Sequence, residues 1–230
     1  MIIALNNKCN LVKDEFYNYL EELYKLDSSN LILIPSTINI PLVDSNKIGL
    51  GAQNVSRDGS GPHTGEISAK QLNSFGVKYC LVGHSERRIE QKETNYDCAE
   101  KIKMLLDENI IPILCVGENL EDRKANKYKE FINNEIKKAT SDLNSLEVEK
   151  LIVAYEPIYS IGTGIVPTNE EIEEIFNIIK ETLPTNKLLY GGSVNDDNVS
   201  ILKNINNIDG FLIGGLSLDV NKLNNFLGKL

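Results

Sequence analysis

The sequence predicts an α/β fold, a single-domain (β/α)8 barrel spanning residues 1–230, on three observations. Short runs rich in Ile, Leu and Val alternate with longer amphipathic segments along the whole length, as in successive strand–helix units around a parallel sheet. Eight such runs divide the 230 residues into units of about 29, the compact end for a barrel of this kind. Polar, chemistry-bearing residues follow many different runs, as a shared C-terminal rim requires. A doubly wound open sheet would also alternate strands and helices, but no Gly-x-Gly-x-x-Gly turn follows the first run.

In chain order the strands are expected near Ile2 to Asn6, Leu31 to Pro35, Ile48 to Gln53, Tyr79 to Gly83, Ile110 to Val116, Leu151 to Tyr155, Leu188 to Tyr190 and Gly210 to Gly214. Their near-continuous apolar character suits strands buried on both faces. Apolar spacing predicts helices over Asp14 to Leu26, Thr94 to Glu108, Asn119 to Ser141 and Thr168 to Leu183. Asn204 to Asn207 forms a solvated turn between the last two strands.

Composition narrows the function. A net charge of −9 repels nucleic acid and anionic membrane surfaces, so an anionic ligand must be held by local groups. No apolar run approaches the roughly eighteen residues of a membrane span, and the N-terminus has no basic, cleavable leader, which predicts a cytoplasmic protein. Cys9, Cys80, Cys98 and Cys115 are spread without metal-ligand spacing, which favours free, buried thiols and no metal site.

Five strand ends carry candidate chemistry. Asn6 and Lys8 emerge just past the first strand, where a lysine supplies a fixed positive charge for an anion. After the fourth strand comes Gly83-His84-Ser85-Glu86-Arg87-Arg88, with one of the two histidines of the chain. Ser85 suits an N-cap, and a helical turn beginning there would aim N–H groups at His84 and keep the imidazole neutral. Glu86, Arg87 and Arg88 fit surface ion pairs. At the tip of the sixth strand, Glu156 is a carboxylate that costs free energy unless it has a task or a partner. Pro157 stops that strand, and Gly162 and Gly164 permit unusual backbone angles in the loop behind it, as in a lid over a base. Glycine-rich turns then follow the seventh strand, at Gly191-Gly192-Ser193, and the eighth, at Gly214-Gly215, where barrel enzymes commonly hold a phosphate.

With Asn6-x-Lys8, Gly83-His84-Ser85-Glu86-Arg87-Arg88, Ala154-Tyr155-Glu156-Pro157, Ile161-Gly162-Thr163-Gly164, Tyr190-Gly191-Gly192-Ser193-Val194 and Gly214-Gly215 in this order, the chain from Ala4 to Leu218 resembles the triosephosphate isomerase family. The resemblance implies the TIM-barrel fold and a cofactor-free interconversion of dihydroxyacetone phosphate and D-glyceraldehyde 3-phosphate, a step of glycolysis and gluconeogenesis. It makes Glu156 the base, His84 the group that polarises the carbonyl, Asn6 and Lys8 the groups that position substrate and offset its charge, and Gly162, Ser193, Gly214 and Gly215 the phosphate holders. The loop from Pro157 to about Val166 becomes the lid. The loop from Gln53 to Ser68 becomes the main contact of a homodimer, with Thr64 reaching the partner's Asn and Lys.

Departures from the family pattern are Asn7 and Cys9 for Trp and Met, His63 for an aromatic residue, Tyr159 and Ser160 for Trp and Ala, Ile165 for Lys, and Leu216 for Ala. They bear on lid timing and dimer strength, not on any group given a chemical role. Two alternatives stand beside this reading. One is another phosphosugar enzyme on the same barrel, although a Schiff-base lyase needs a lysine inside it. The other is a non-catalytic dimeric scaffold, which predicts damage among Asn6, Lys8, His84 and Glu156.

Overall fold

Hydrogen bonding between the first and last strands decides the architecture. In the computed structural model, residues 1–27, 29–160, 167–184 and 186–230 are described. Among them the chain runs β1 (Ile2–Asn6), α1 (Lys13–Leu23), β2 (Leu31–Ile34), β3 (Gly49–Ala52), α2 (Ala69–Ser74), β4 (Tyr79–Val82), α3 (Ser85–Glu90), α4 (Asn95–Asp107), β5 (Ile111–Val116), α5 (Leu120–Lys124), α6 (Tyr128–Ala139), α7 (Ser145–Val148), β6 (Ile152–Tyr155), α8 (Asn169–Thr182), β7 (Lys187–Tyr190), α9 (Val199–Leu202), β8 (Gly210–Ile213) and α10 (Val220–Leu227). Each strand pairs in parallel with its sequence neighbours, and Ala4 of β1 lies opposite both Ile32 of β2 and Leu212 of β8. The sheet is therefore a closed barrel, not an open one.

Alternation along the strands builds two apolar layers. Ala4, Ile32, Ile34, Leu81, Ile113, Cys115, Ile152, Ala154, Leu189 and Leu212 meet inside the barrel. The intervening residues, among them Leu5, Leu33, Val82, Val153 and Phe211, pack outward against Phe16, Ile102, Ile132, Phe176 and Phe226 of the helices. β3 turns Gly51 inward because the space is taken: a Cβ there would stand 2.8 Å from Ile34 Cγ1.

Helix ends follow local chemistry. Thr168 and Glu171 form a reciprocal capping box, so α8 begins one residue after the expected Thr168. α1 stops at Leu23 rather than Leu26, and Lys25 and Leu26 close into tight turns on Glu22 and Leu23. The continuous helix expected over Asn119 to Ser141 is corrected: it breaks into α5 and α6 where Asn126 turns to a φ of +56°. Asn tolerates this left-handed conformation better than most residues, and apolar spacing alone does not register a one-residue break. No helix among the described residues is long and apolar enough to cross a membrane. Cys80, Cys98 and Cys115 are free and buried, as expected, while Cys9 is free and exposed.

Candidate active site

The C-terminal ends of β1, β4, β6, β7 and β8 surround a cavity of about 340 Å3, lined by Asn6, Lys8, His84, Glu156, Gly191, Gly192, Ser193 and Val194, and by Leu212 to Leu216. Asn6, Lys8, His84, Glu156, Ser193, Gly214 and Gly215 thus share one wall-to-wall site. Gly162, and with it Thr163, Gly164, Ile165 and Val166 of the expected lid, lies outside the described residues.

At the end of β1, Lys8 has a φ of +53°. Its N–H donates to Asn6 Oδ1 (3.0 Å) and its carbonyl accepts from Gln53 Nε2 (2.8 Å), which together hold this turn. The Lys8 ammonium reaches Glu86 Oε1 at 2.6 Å. Glu86 thus forms the exposed ion pair that its sequence position suggested, and its partner is the site's lysine. For Arg87 and Arg88 the surface expectation is corrected. Arg87 Nε donates to Glu93 Oε2 (2.6 Å), a carboxylate that also takes Lys101 Nζ (2.6 Å). Arg88 is largely buried, its Nε donating to the Gly83 carbonyl (2.7 Å).

The short helix expected after His84 exists as α3, but its cap is His84 rather than Ser85. Nδ1 of His84 accepts from the Glu86 N–H at 3.3 Å. The Ser85 N–H is spent elsewhere, donating to Glu156 Oε2 (3.1 Å). Nε2 of His84 lies 3.1 Å from Glu156 Oε1. The side chains of His84 and Glu156 are 7% and 4% exposed, so the contact works in a medium that screens little.

Electrostatics couple these two groups. Burial alone would raise the Glu156 pKa, but His84, the Ser85 N–H and the Cys115 thiol outweigh it and hold the carboxyl below its ordinary value. Burial opposes protonation of His84, and the Glu156 carboxylate overcomes it, so the imidazole pKa stands above its ordinary value. This differs from the expectation drawn from the helix end alone, because that expectation took no account of a carboxylate in contact with the ring. The bond from the Glu86 N–H to Nδ1 is one that a ring with a free Nδ1 lone pair accepts, which assigns the proton of the neutral form to Nε2. Burial and the neighbouring Glu156 push the Cys115 thiol well up, leaving it a neutral donor.

At the end of the adjoining strand β7, Gly191 leaves room for the Glu156 side chain, since a Cβ there would stand 3.0 Å from its Cγ. Gly214 does the same for the Lys8 stem, at 3.2 Å from Cε. A 3-10 turn over Gly215–Leu218 starts at the rim behind β8, where N–H groups can meet an anion. Ser193 Oγ donates to the Ser160 carbonyl (2.8 Å), tying the turn after β7 to the segment that follows Glu156.

Sequence reasoning did not assign Glu86, Ser85, Cys115 or Gln53. Glu86 and Ser85 lie in the same short motif as His84, although that motif suggests a capping role for Ser85 and not a bond to Glu156; Cys115 and Gln53 are ordinary residues until the barrel closes.

A buried carboxylate and imidazole facing an ammonium and two glycine turns, all on one rim, define a (β/α)8-barrel enzyme for a small polar substrate. The family model described as triosephosphate isomerase matches residues 1–229. The chain is 39% identical to the triosephosphate isomerase of Mycoplasmopsis pulmonis (strain UAB CTIP), with 96% of this chain and 94% of that protein covered. It is 38% identical to that of Mesomycoplasma hyorhinis over 93% and 90% of the two chains, and 35% identical to that of Clostridium tetani (strain Massachusetts / E88) over 96% and 92%. The chain belongs to the triosephosphate isomerase family and is an isomerase.

Proposed function

We propose that this chain interconverts dihydroxyacetone phosphate and D-glyceraldehyde 3-phosphate through an enediol(ate), with Glu156 as the base. The observation that carries the reading is the buried Glu156 resting 3.1 Å from His84 on the wall of a cavity that also holds Lys8 and the glycine turns. Glu156 is stabilised as the anion by His84 and the Ser85 N–H, which makes it a weak base while these contacts hold. A substrate seated between Glu156 and His84 would take over the imidazole N–H and leave the carboxylate buried with fewer donors, which raises its basicity. His84 Nε2–H would polarise the carbonyl, and Lys8 would offset the charge that develops on the oxygens. Asn6 would orient those oxygens. Gly162, Ser193, Gly214 and Gly215 would hold the phosphate, and the segment from Pro157 to Val166 would close over it, excluding water and limiting phosphate loss to methylglyoxal.

The same reading makes the molecule a single-domain cytoplasmic homodimer. The ends of the Gln53 to Ser68 loop are pinned by the Ser56 N–H to the Ile67 carbonyl (2.8 Å), while residues 57 to 66, with Thr64 among them, are exposed. A second cavity of about 300 Å3, lined by Lys8, Cys9, Gln53 and Glu86, opens beside the site and could receive a partner's Thr64. The exposed Ile38, with 81% of its surface free, lies on the segment that follows β2 and would be covered by a partner.

The deciding experiment is a coupled assay with D-glyceraldehyde 3-phosphate on the unsubstituted chain and on Glu156→Gln. The substitution should leave the fold intact and lower kcat by about 10²–10⁴-fold, the range for removal of a general base. A folded Glu156→Gln protein turning over near the unsubstituted rate would rule out the base assignment.

A further inference from the structure

Behind the site, on the side of the barrel facing away from the cavity, a second buried carboxylate is connected to both members of the Glu156 and His84 pair. Glu135 projects from α6 and is 3% exposed. Its Oε2 accepts from the Gly117 N–H at 3.0 Å, and its Oε1 stands 3.5 Å from Nη1 of Arg88. Each neighbour leads to one half of the catalytic pair. Gly117 follows β5 and is pressed against the backbone of Glu156 so closely that a Cβ would fall 1.8 Å from the Glu156 carbonyl oxygen. Arg88 donates through Nε to the carbonyl of Gly83, the residue before His84, at 2.7 Å, and through Nη2 to the carbonyl of Cys115 at 3.3 Å. The Cys115 thiol in turn hydrogen-bonds Glu156.

We infer that Glu135 is a positioning residue for the Glu156 and His84 pair, acting through the Gly117 amide on one side and the Arg88 guanidinium on the other. One carboxylate thereby locks the ends of β4, β5 and β6 into a single register. The arrangement requires an anion with two acceptor oxygens. A glutamine of the same shape can keep an oxygen toward the Gly117 N–H only by turning its NH2 toward Arg88, where donor faces donor. Arg88 must then shift, and it carries the Gly83 carbonyl and the backbone of His84 with it. Burial, only partly offset by Arg88 and the Gly117 N–H, raises the Glu135 carboxyl to about 7, so the two-acceptor anion on which the arrangement depends is fully formed only above that pH. Glu135 does not line the cavity of the site, which separates this role from contact with substrate.

The inference rests on the isomerase reading above, and its test has one arm that does not need turnover. In Glu135→Gln, kcat for triose phosphate interconversion should fall by about tenfold with KM within about twofold, because the pair is displaced while the phosphate seat is untouched. Asn134→Ala, on the exposed face of the same helix, should change neither. In the ligand-free protein, the imidazole N–H signal of His84, assigned against a His63→Gln variant, should be a protected resonance from the contact with Glu156, and Glu135→Gln should broaden it by solvent exchange. A kcat within about twofold of the unsubstituted value, or a His84 signal that persists unchanged in Glu135→Gln, would overturn the role. If the unsubstituted chain failed to turn over triose phosphates, the proposed function would fall, and the imidazole signal would still decide whether Glu135 positions the pair.

Discussion

Lys8 shows how one residue serves both local geometry and charge. It adopts a left-handed backbone at the end of β1, held by Asn6 and Gln53, and its ammonium meets Glu86 at 2.6 Å. In a protein of net charge −9 it is the lysine on the wall of the candidate site among the described residues. Lys8→Met should raise KM for either triose phosphate by roughly 10- to 100-fold, since a charge-assisted hydrogen bond contributes about 1.5–3 kcal/mol. Steady-state kinetics at low ionic strength check this; an unchanged KM would mean that the substrate's charge is met elsewhere. At this scale the sequence exposed Asn6, Lys8, His84 and Glu156, because a polar residue at the tip of a buried strand is conspicuous. It could not expose Ser85, whose contribution is a backbone N–H and carries no side-chain signature.

At the scale of elements, the helices were legible where apolar spacing and caps agreed, and misread where one residue broke the run. Thr94 and Thr168 stand at the boundaries of α4 and α8 because each hydroxyl accepts the N–H three residues on. The break between α5 and α6 rests on Asn126 at a φ of +56°. Asn126→Ala should destabilise the protein by about 1–2 kcal/mol, the cost of a Cβ in that conformation without a compensating polar side chain, as read from urea unfolding. Asn126→Gly should not, and equal loss in both would place the cause elsewhere.

The elements α3 and α6 meet at Glu135, and a pH dependence follows from its position. The groups facing it are Arg88 on α3, Glu118 and the Gly117 N–H after β5, and Glu156 after β6. Its folded pKa of about 7 lies above the ordinary 4.5, so between these values the folded state holds a proton that the unfolded chain has released. Stability from this group is therefore present below 4.5 and is lost as pH rises toward 7. Glu135→Gln removes this titration, so the stability of the variant relative to the unsubstituted protein should shift in the variant's favour by on the order of 3 kcal/mol between pH 4.5 and pH values above 7. Denaturant midpoints across that range provide the check, and a gap that does not widen with pH would contradict it. A variant that is at once more stable and slower would separate the role of Glu135 in the site from any role in holding the fold.

At the scale of the whole molecule, barrel closure decides which distant residues become neighbours. Asn7 Nδ2 donates to Ser217 Oγ across 210 positions of sequence, and Lys8 reaches Glu86 across 78. Closure also turns the Gln53 to Ser68 loop outward, beside the cavity that contains Cys9 and Lys8. We expect sedimentation as a dimer at micromolar concentration, and Thr64→Arg, which is far bulkier than the threonine it replaces, should shift the protein toward monomer and lower activity with it. A chain that sediments as a monomer without losing activity would show that the site is complete within one subunit.

The sequence by itself determined the alternation of strands and helices, the order of the rim motifs and the family they resemble, because each of these is written in residues close along the chain. Only the tertiary structure decided that Glu86 pairs with Lys8, that His84 caps its own helix, and that Glu135 meets Arg88 and the Gly117 N–H. The physical reason is that a charge takes its meaning from its partners and its burial. In a barrel those are set by the meeting of strand ends that lie far apart along the chain.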